Sequence, residues 1–209
     1  MKRILILFTA ALWLGFTPVA AQQGADEDAI RMKINTAASQ LHTMQCDFVQ
    51  TKYLKMLDDK MEARGKMYYA QPNKLRWEYV SPYTYIFILN GTKVLMSKGS
   101  HNDVIDVNQN KVFREIARIM MNSVVGKCLE DDKDFHTSIE ERESLWVVTM
   151  IPVSKNIRQM FTQIVLRFDI GRAMVSTVEL TEKNGDRTVI ELKDVRTDQS
   201  IDEEIFAVD

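Results

Sequence analysis

From Cys46 onward, apolar side chains fall on alternate positions in short runs, with turn residues between them. Cys46, Phe48, Leu54 and Met56 share one parity. After Asp58-Asp59 so do Met61, Ala63, Gly65, Met67 and Tyr69, and after Pro72-Asn73 so do Leu75, Trp77 and Tyr79. A period of two turns one face of a sheet to a core and the other to water. Ser81-Pro82 breaks the run and Asn90-Gly91 is a two-residue hairpin signal. Lys93–Lys98 returns, 99–102 turns, and 103–108 reads as a short strand. The apolar face holds Met, Tyr and Trp where a rigid sandwich would favour Val and Ile, so it suits an adaptable pocket as well as a packed core. Of the two, plain core is the commoner use of such a stripe.

Two segments switch to helical spacing. Residues 26–44 begin with Asp26, Glu27 and Asp28, where the helix dipole favours acid. Ile30, Ile34, Ala37, Ala38, Leu41 and Met44 follow on one stripe, with Arg31, Lys33, Asn35 and Gln40 opposite. Residues 111–127 gather Val112, Phe113, Ile116, Ile119, Met120, Val124 and Val125 on a broad greasy side, and Gly126 is placed to end the helix. The last third reads as an antiparallel meander, with strands at about 135–142, 145–151, 160–169, 173–181 and 187–195. Pro152, Asp169-Ile170-Gly171 and Asn184-Gly185 punctuate it. Ile164, Val165, Leu166 and Phe168 are apolar on both parities, which implies cover on both faces. Phe206 anchors a short tail.

The first 21 residues stand apart. Lys2 and Arg3, an apolar run from Ile4 to Leu14, and Pro18-Val19-Ala20-Ala21 make a secretory signal with its cleavage site. Cleavage after Ala21 leaves residues 22–209, one domain's worth of chain, expected to be exported and soluble. The residue immediately after the cut is Gln22 rather than cysteine, which argues against a lipid anchor. Losing Lys2 and Arg3 takes the formal charge from −2 to −4, against a nucleic-acid partner or a polybasic membrane patch. Cys46 and Cys128 are the only cysteines. They are either two buried thiols or one bridge, and no disulfide scaffold.

The search for catalytic chemistry is negative. His42, His101 and His136 lie far apart and have no partners at metal-ligand spacing. There is no G-x-S-x-G elbow, no HExxH and no glycine cluster for a phosphate. The acidic run 130–134 lacks the spacing of a calcium loop. Asn90-Gly91-Thr92 fits a glycosylation sequon formally, but a hairpin explains it better. No enzyme, metal or cofactor is expected. The twelve methionines, all but Met1 beyond the leader, offer a lining that repacks around a flexible ligand.

The chain resembles the LolA-type outer-membrane lipoprotein carriers of Gram-negative bacteria. The likeness runs through the leader, the opening helix, Phe48-x-Gln50, Gly65-x-Met67-Tyr68-Tyr69 and Pro72-Asn73-Lys74-Leu75-Arg76-Trp77. It continues through Pro82, Asn90-Gly91, Phe161 to the Gly171 turn, Asn184-Gly185 and Ile201-Asp202-x-x-Ile205-Phe206. The resemblance implies an α+β, mainly β fold: an incomplete antiparallel barrel whose open side is closed by helices as a lid. It implies a cavity for acyl chains lined by Phe48, Met61, Met67, Tyr69, Leu75, Trp77, Tyr79 and Met96. Leu75 falls where proteobacterial members have a cavity aromatic, and Trp77 matches the neighbour two residues on. Lid contacts would come from Ile30, Ile34 and Leu41 on the first helix, and from Phe113, Ile116, Met120 and Val124 on the second.

The implied activity is a periplasmic shuttle, a monomer that takes lipoproteins from an inner-membrane lipoprotein-releasing ABC transporter and hands them to an outer-membrane acceptor. Two departures matter. The lid-latching arginine before the proline is Gln71 here, so its hydrogen bonds lack charge assistance; Arg64 or Arg76 offers a guanidinium in its stead. The extra carboxy-terminal segment of proteobacterial carriers is missing at Asp209. Two alternatives share the pocket: a sensor or regulatory module on the same half-barrel, and a carrier of another lipid or glycolipid.

Overall fold

The computed structural model describes residues 19–109, 114, 117–119, 121–122, 126–129 and 133–208. Among them, eleven strands form one antiparallel sheet in the order β6-β5-β4-β3-β2-β1-β11-β10-β9-β8-β7. One wing is β1 (Thr43–Leu54), β2 (Asp59–Ala70), β3 (Lys74–Ser81), β4 (Tyr85–Asn90), β5 (Lys93–Lys98) and β6 (His101–Asp106). The other is β7 (Phe135–Arg142), β8 (Leu145–Pro152), β9 (Phe161–Asp169), β10 (Met174–Glu182) and β11 (Arg187–Thr197). The wings join where β1 pairs with β11, and the sheet is curved and unclosed, its free edges being β6 and β7.

Register turns the alternating pattern into a wall. Cys46, Met67, Trp77, Phe87 and Met96 are successive cross-strand partners from β1 to β5. Met44, Tyr69, Leu75, Leu89 and Val94 form the next row. In the other wing Val178, Leu166, Val148 and Ile139 line up from β10 to β7. Cross-strand apolar neighbours of this kind are what hold a sheet in register. Side chains from both wings enter one apolar cluster, so this face is the inside of the bend.

Helix α1 (Val19–Gln40) lies across that inner face, with Ile34 and Ala38 buried, as is Leu41 just past its end. Residues 114, 117–119 and 121–122 are also helical, and Ala117, Ile119 and Met121 enter the same cluster. A separate cluster lies on the outer face, where Phe206 and Val208 of the tail pack against Ala70 and Ile88. A 3-10 turn at Glu203–Phe206 holds the tail there. Asp202 accepts from the Glu204 amide, Arg76 Nη1 donates to the Ile205 carbonyl at 3.1 Å, and Asn90 Nδ2 donates to the Phe206 carbonyl at 3.1 Å.

The structure shifts several expected boundaries. The first helix covers Val19–Gln40 rather than 26–44, and Met44 is a strand residue opposite Tyr69 and Thr197. Pairing on both sides of β1 outweighs continuation of the helical stripe. Met56 lies in the turn after β1, not on the strand, and is 91% exposed. The expected strand 103–108 runs from His101 to Asp106, because Gly99 at φ +63° makes a two-residue turn with Ser100 between the paired Lys98 and His101. A short helix, α2 (Lys155–Met160), was unforeseen; only Ile157 of its six residues is fully buried, too little for a periodic signal.

Candidate functional site

The inner wall of the first wing brings together most of the residues expected to line a cavity. Phe48, Met67, Tyr69, Leu75 and Trp77 are buried, and Tyr79 and Met96 are half-buried against the same cluster. Met61 is not part of the enclosed wall. It shares their parity but sits near the start of β2 and is 55% exposed, a rim position. Ile34 and Leu41 are buried on the wall and Ile30 packs beside them. Phe113, Ile116, Met120 and Val124 lie outside the described residues.

Aromatic rings dominate the lower part of this wall. Phe48 stacks on Trp77 with centroids 4.3 Å apart and meets Tyr79 edge-on at 5.2 Å. Tyr79 is 5.5 Å from Tyr83 and 6.2 Å from Tyr85. The Tyr79 hydroxyl donates to Gln50 Oε1 at 2.9 Å. Burial, with the neighbouring Tyr83, pushes the Tyr79 phenol up to about 12, and hydrogen bonds from Trp77 and to Gln50 offset only part of the rise. Burial alone pushes Tyr69 up to about 12. The buried Trp77 indole faces the Tyr79 hydroxyl and interacts with it as a hydrogen-bond donor.

Cys46 also faces this wall. It is a free thiol, so the bridge left open by the sequence is not formed, and burial, then Asp47, raises its pKa to about 12. Among the described residues, no group of three His, Cys, Asp or Glu is placed to hold a metal ion, and no helix is long and apolar enough to cross a membrane.

The latch position behaves differently from either expectation. Gln71 Nε2 donates to the Ser39 carbonyl at 3.4 Å and its backbone amide to the His42 carbonyl at 2.8 Å, so it ties the end of β2 to the end of α1. Arg64 pairs with Glu62 on the surface, and Arg76 pairs with Glu78 and the tail, so neither replaces a latch. Both stand on the outer parity of their strands. Arg31, read from sequence as a polar-face residue, donates instead from Nη1 to the Leu129 carbonyl at 3.0 Å, joining α1 to the 3-10 turn Lys127–Leu129.

Sequence reasoning also missed half of the wall. Phe87, Leu89 and Val94 belong to it, as do Trp146, Met150, Leu166 and Phe168 of the second wing. Their alternate spacing was a usable signal, masked in β9 by the apolar residues on the other parity.

An unclosed antiparallel barrel, its inner wall apolar across both wings and covered by helices, defines a class of proteins built around a hydrophobic interior. The family described as "Outer membrane lipoprotein carrier protein LolA" matches residues 39–209, and the chain belongs to that family. Its members are carriers, binding proteins rather than enzymes. An outer-membrane lipoprotein carrier protein of Pseudomonas aeruginosa strain UCBPP-PA14 is 23% identical, over 100% of this chain and 95% of its own length. One from Nitrosospira multiformis is 25% identical over 78% of this chain and 76% of its own. Among solved structures, the MucA/MucB complex of Pseudomonas aeruginosa superposes with a TM-score of 0.52 at 12% identity. The match covers 87% of this chain and 60% of that one, a likeness of fold.

Proposed function

We propose that this chain is a periplasmic carrier that holds the acyl chains of lipoproteins against its inner wall while they cross from the inner to the outer membrane. The observation that carries this reading is the continuous apolar wall beneath helices, in a chain of the LolA family. On this reading residues 1–21 are removed on export, and 22–209 act as a single monomeric domain. A buried methylene is worth about 0.8 kcal/mol, so one 16-carbon chain represents roughly 12 kcal/mol that water must not reclaim in transit. The same figure means that the wall only matches a bilayer as a solvent. Loading therefore needs an energised inner-membrane partner, an ABC transporter that releases lipoproteins, and unloading runs downhill to an outer-membrane acceptor. Gln71 and Arg31 hold α1 in the covered state and stand in for the latch.

Native mass spectrometry of the protein isolated from its host's periplasm tests this. Co-purified acylated lipoprotein is the expected result. Another lipid would replace the cargo assignment, and failure of the stripped protein to take up any fluorescent acyl probe would overturn the reading.

A further inference from the structure

One end of the sheet leaves apolar side chains in water. Of the nine large apolar side chains exposed among the described residues, Tyr53, Met56, Leu57, Met61, Val80 and Tyr83 gather there. Register brings them together. Met61 pairs with Lys52, Tyr53 with Arg187 and Arg64 with Ser81, so the β1–β2, β3–β4 and β10–β11 connections share that end. Met56 and Leu57 form the crest of the β1–β2 turn, 91% and 71% exposed. The turn does not require them, because Asp58 at φ +48° takes the left-handed position that reverses the chain. The crest is also braced. The Lys55 amide donates to Asp186 Oδ1 at 3.0 Å, the Leu57 amide to the Leu54 carbonyl at 3.1 Å, and Lys52 Nζ to Glu182 Oε1 at 2.7 Å. Asp186 is itself buried and accepts from Asn184 Nδ2 at 2.9 Å. The fold thus holds two bare apolar side chains outward on a fixed tip, and exposed apolar surface of this kind marks a site of contact.

Three observations bear on what the tip meets. It is a protruding crest, so its counterpart must deform around it. Its charges cancel, Lys55 and Lys60 against Asp58 and Asp59, which gives no handle to a charge-steered protein partner. It is also continuous with the inner wall. Tyr83, 45% exposed at this end, lies 5.5 Å from Tyr79, which meets Phe48 at 5.2 Å, and Phe48 stacks on Trp77. We propose that this end docks on a lipid bilayer, with Met56 and Leu57 entering the acyl boundary and Tyr53 and Tyr83 lying at headgroup depth. This rests on the reading of the chain as an acyl-chain carrier and adds the route of hand-over. A chain leaving the wall passes along Tyr79 and Tyr83 into the bilayer without crossing water, so the acceptor for that step is the bilayer itself. Two inserted side chains give weak, reversible attachment, which suits a carrier that must leave again.

The test floats the full exported protein with protein-free vesicles of phosphatidylcholine, with and without phosphatidylglycerol. The wild-type protein should partition about equally onto both, because apolar insertion rather than charge holds it, and Met56→Asp/Leu57→Asp should lose about tenfold in partitioning. Met32→Asp, at a bare position on α1 (69% exposed), is the control and should change nothing. The indole added by Met56→Trp should be quenched by lipids brominated on their acyl chains. In a second arm, protein loaded with a fluorescent acyl probe is mixed with empty vesicles. Transfer should quicken as vesicle concentration rises and should be about tenfold slower in the double variant. That variant's melting temperature and probe uptake should match those of the wild type, since the crest lies outside the wall. Absence of flotation, flotation that needs phosphatidylglycerol, an unaffected double variant, or transfer that begins only when outer-membrane proteins are reconstituted into the vesicles would overturn the docking proposal. Each of these leaves the carrier reading intact while the stripped protein still takes up the probe. Failure of that uptake would overturn the carrier reading itself.

Discussion

Gly65 sits where β1, β2 and β3 press closest together. A Cβ there would lie 2.0 Å from the Glu78 carbonyl oxygen and 2.4 Å from Phe48 Cζ, so only hydrogen fits under the ring that stacks on Trp77. Gly65→Ala is expected to cost about 1–3 kcal/mol in urea unfolding, as overpacking does, and to shift Trp77 fluorescence by displacing Phe48. Neighbouring acids on this wall respond to burial in a readable way. Tyr69 and Tyr79 are raised to about 12, so their neutral forms stabilise the fold fully below the unfolded-chain value near 10. That contribution is lost as pH rises from there through 12. In a 295 nm titration, Tyr79→Phe should remove a late-ionising tyrosine. The Cys46 thiol, also raised to about 12, should resist a disulfide reagent at pH 8 in a Cys128→Ser background and react once the chain is unfolded.

Strands were easier to read than helices, for a reason that lies in what fixes each. Gly91 and Gly99, both at φ +63°, begin the central pairs of their hairpin turns, and such local chemistry is visible in the sequence. The ends of α1 depend on partners far away. Thr43 and Met44 are drawn into strand pairing by Ala70 and Thr197, and nothing near residue 44 announces this. For the same reason the wall was legible as a parity, and its second wing only as a run of apolar strands. The role of Arg31 was invisible because its acceptor, Leu129, is 98 residues away. The tail shows that the two faces are energetically separate. Phe206 is fully buried on the outer cluster, whereas the candidate site lies on the inner one. Phe206→Ala should therefore cost about 3–5 kcal/mol in unfolding yet leave acyl-probe affinity of the folded protein unchanged.

In this structure the wall is not bare. Met67, Leu75 and Trp77 are at most 4% exposed, in one cluster with Ile34 from α1, Leu41 just past its end, and Ala117, Ile119 and Met121 from the second helical segment. A guest chain and these side chains compete for one surface, so loading must exchange helix–wall contact for chain–wall contact. That exchange has two opposite signatures in one molecule. A ligand that binds only the folded state stabilises it by about 2.7 kcal/mol at a hundred times its Kd, a melting shift of roughly 5–11 °C for a domain of this size. The helices, having given up wall contacts, should open more often. Hydrogen exchange with a bound acyl lipid is therefore expected to slow in β1 to β3 and to quicken in residues 26–40, 117–119 and 121–122, while the melting temperature rises. Uniform slowing, helices included, would mean that the chain lies in space the helices never filled, and the competition between lid and cargo would have to be abandoned.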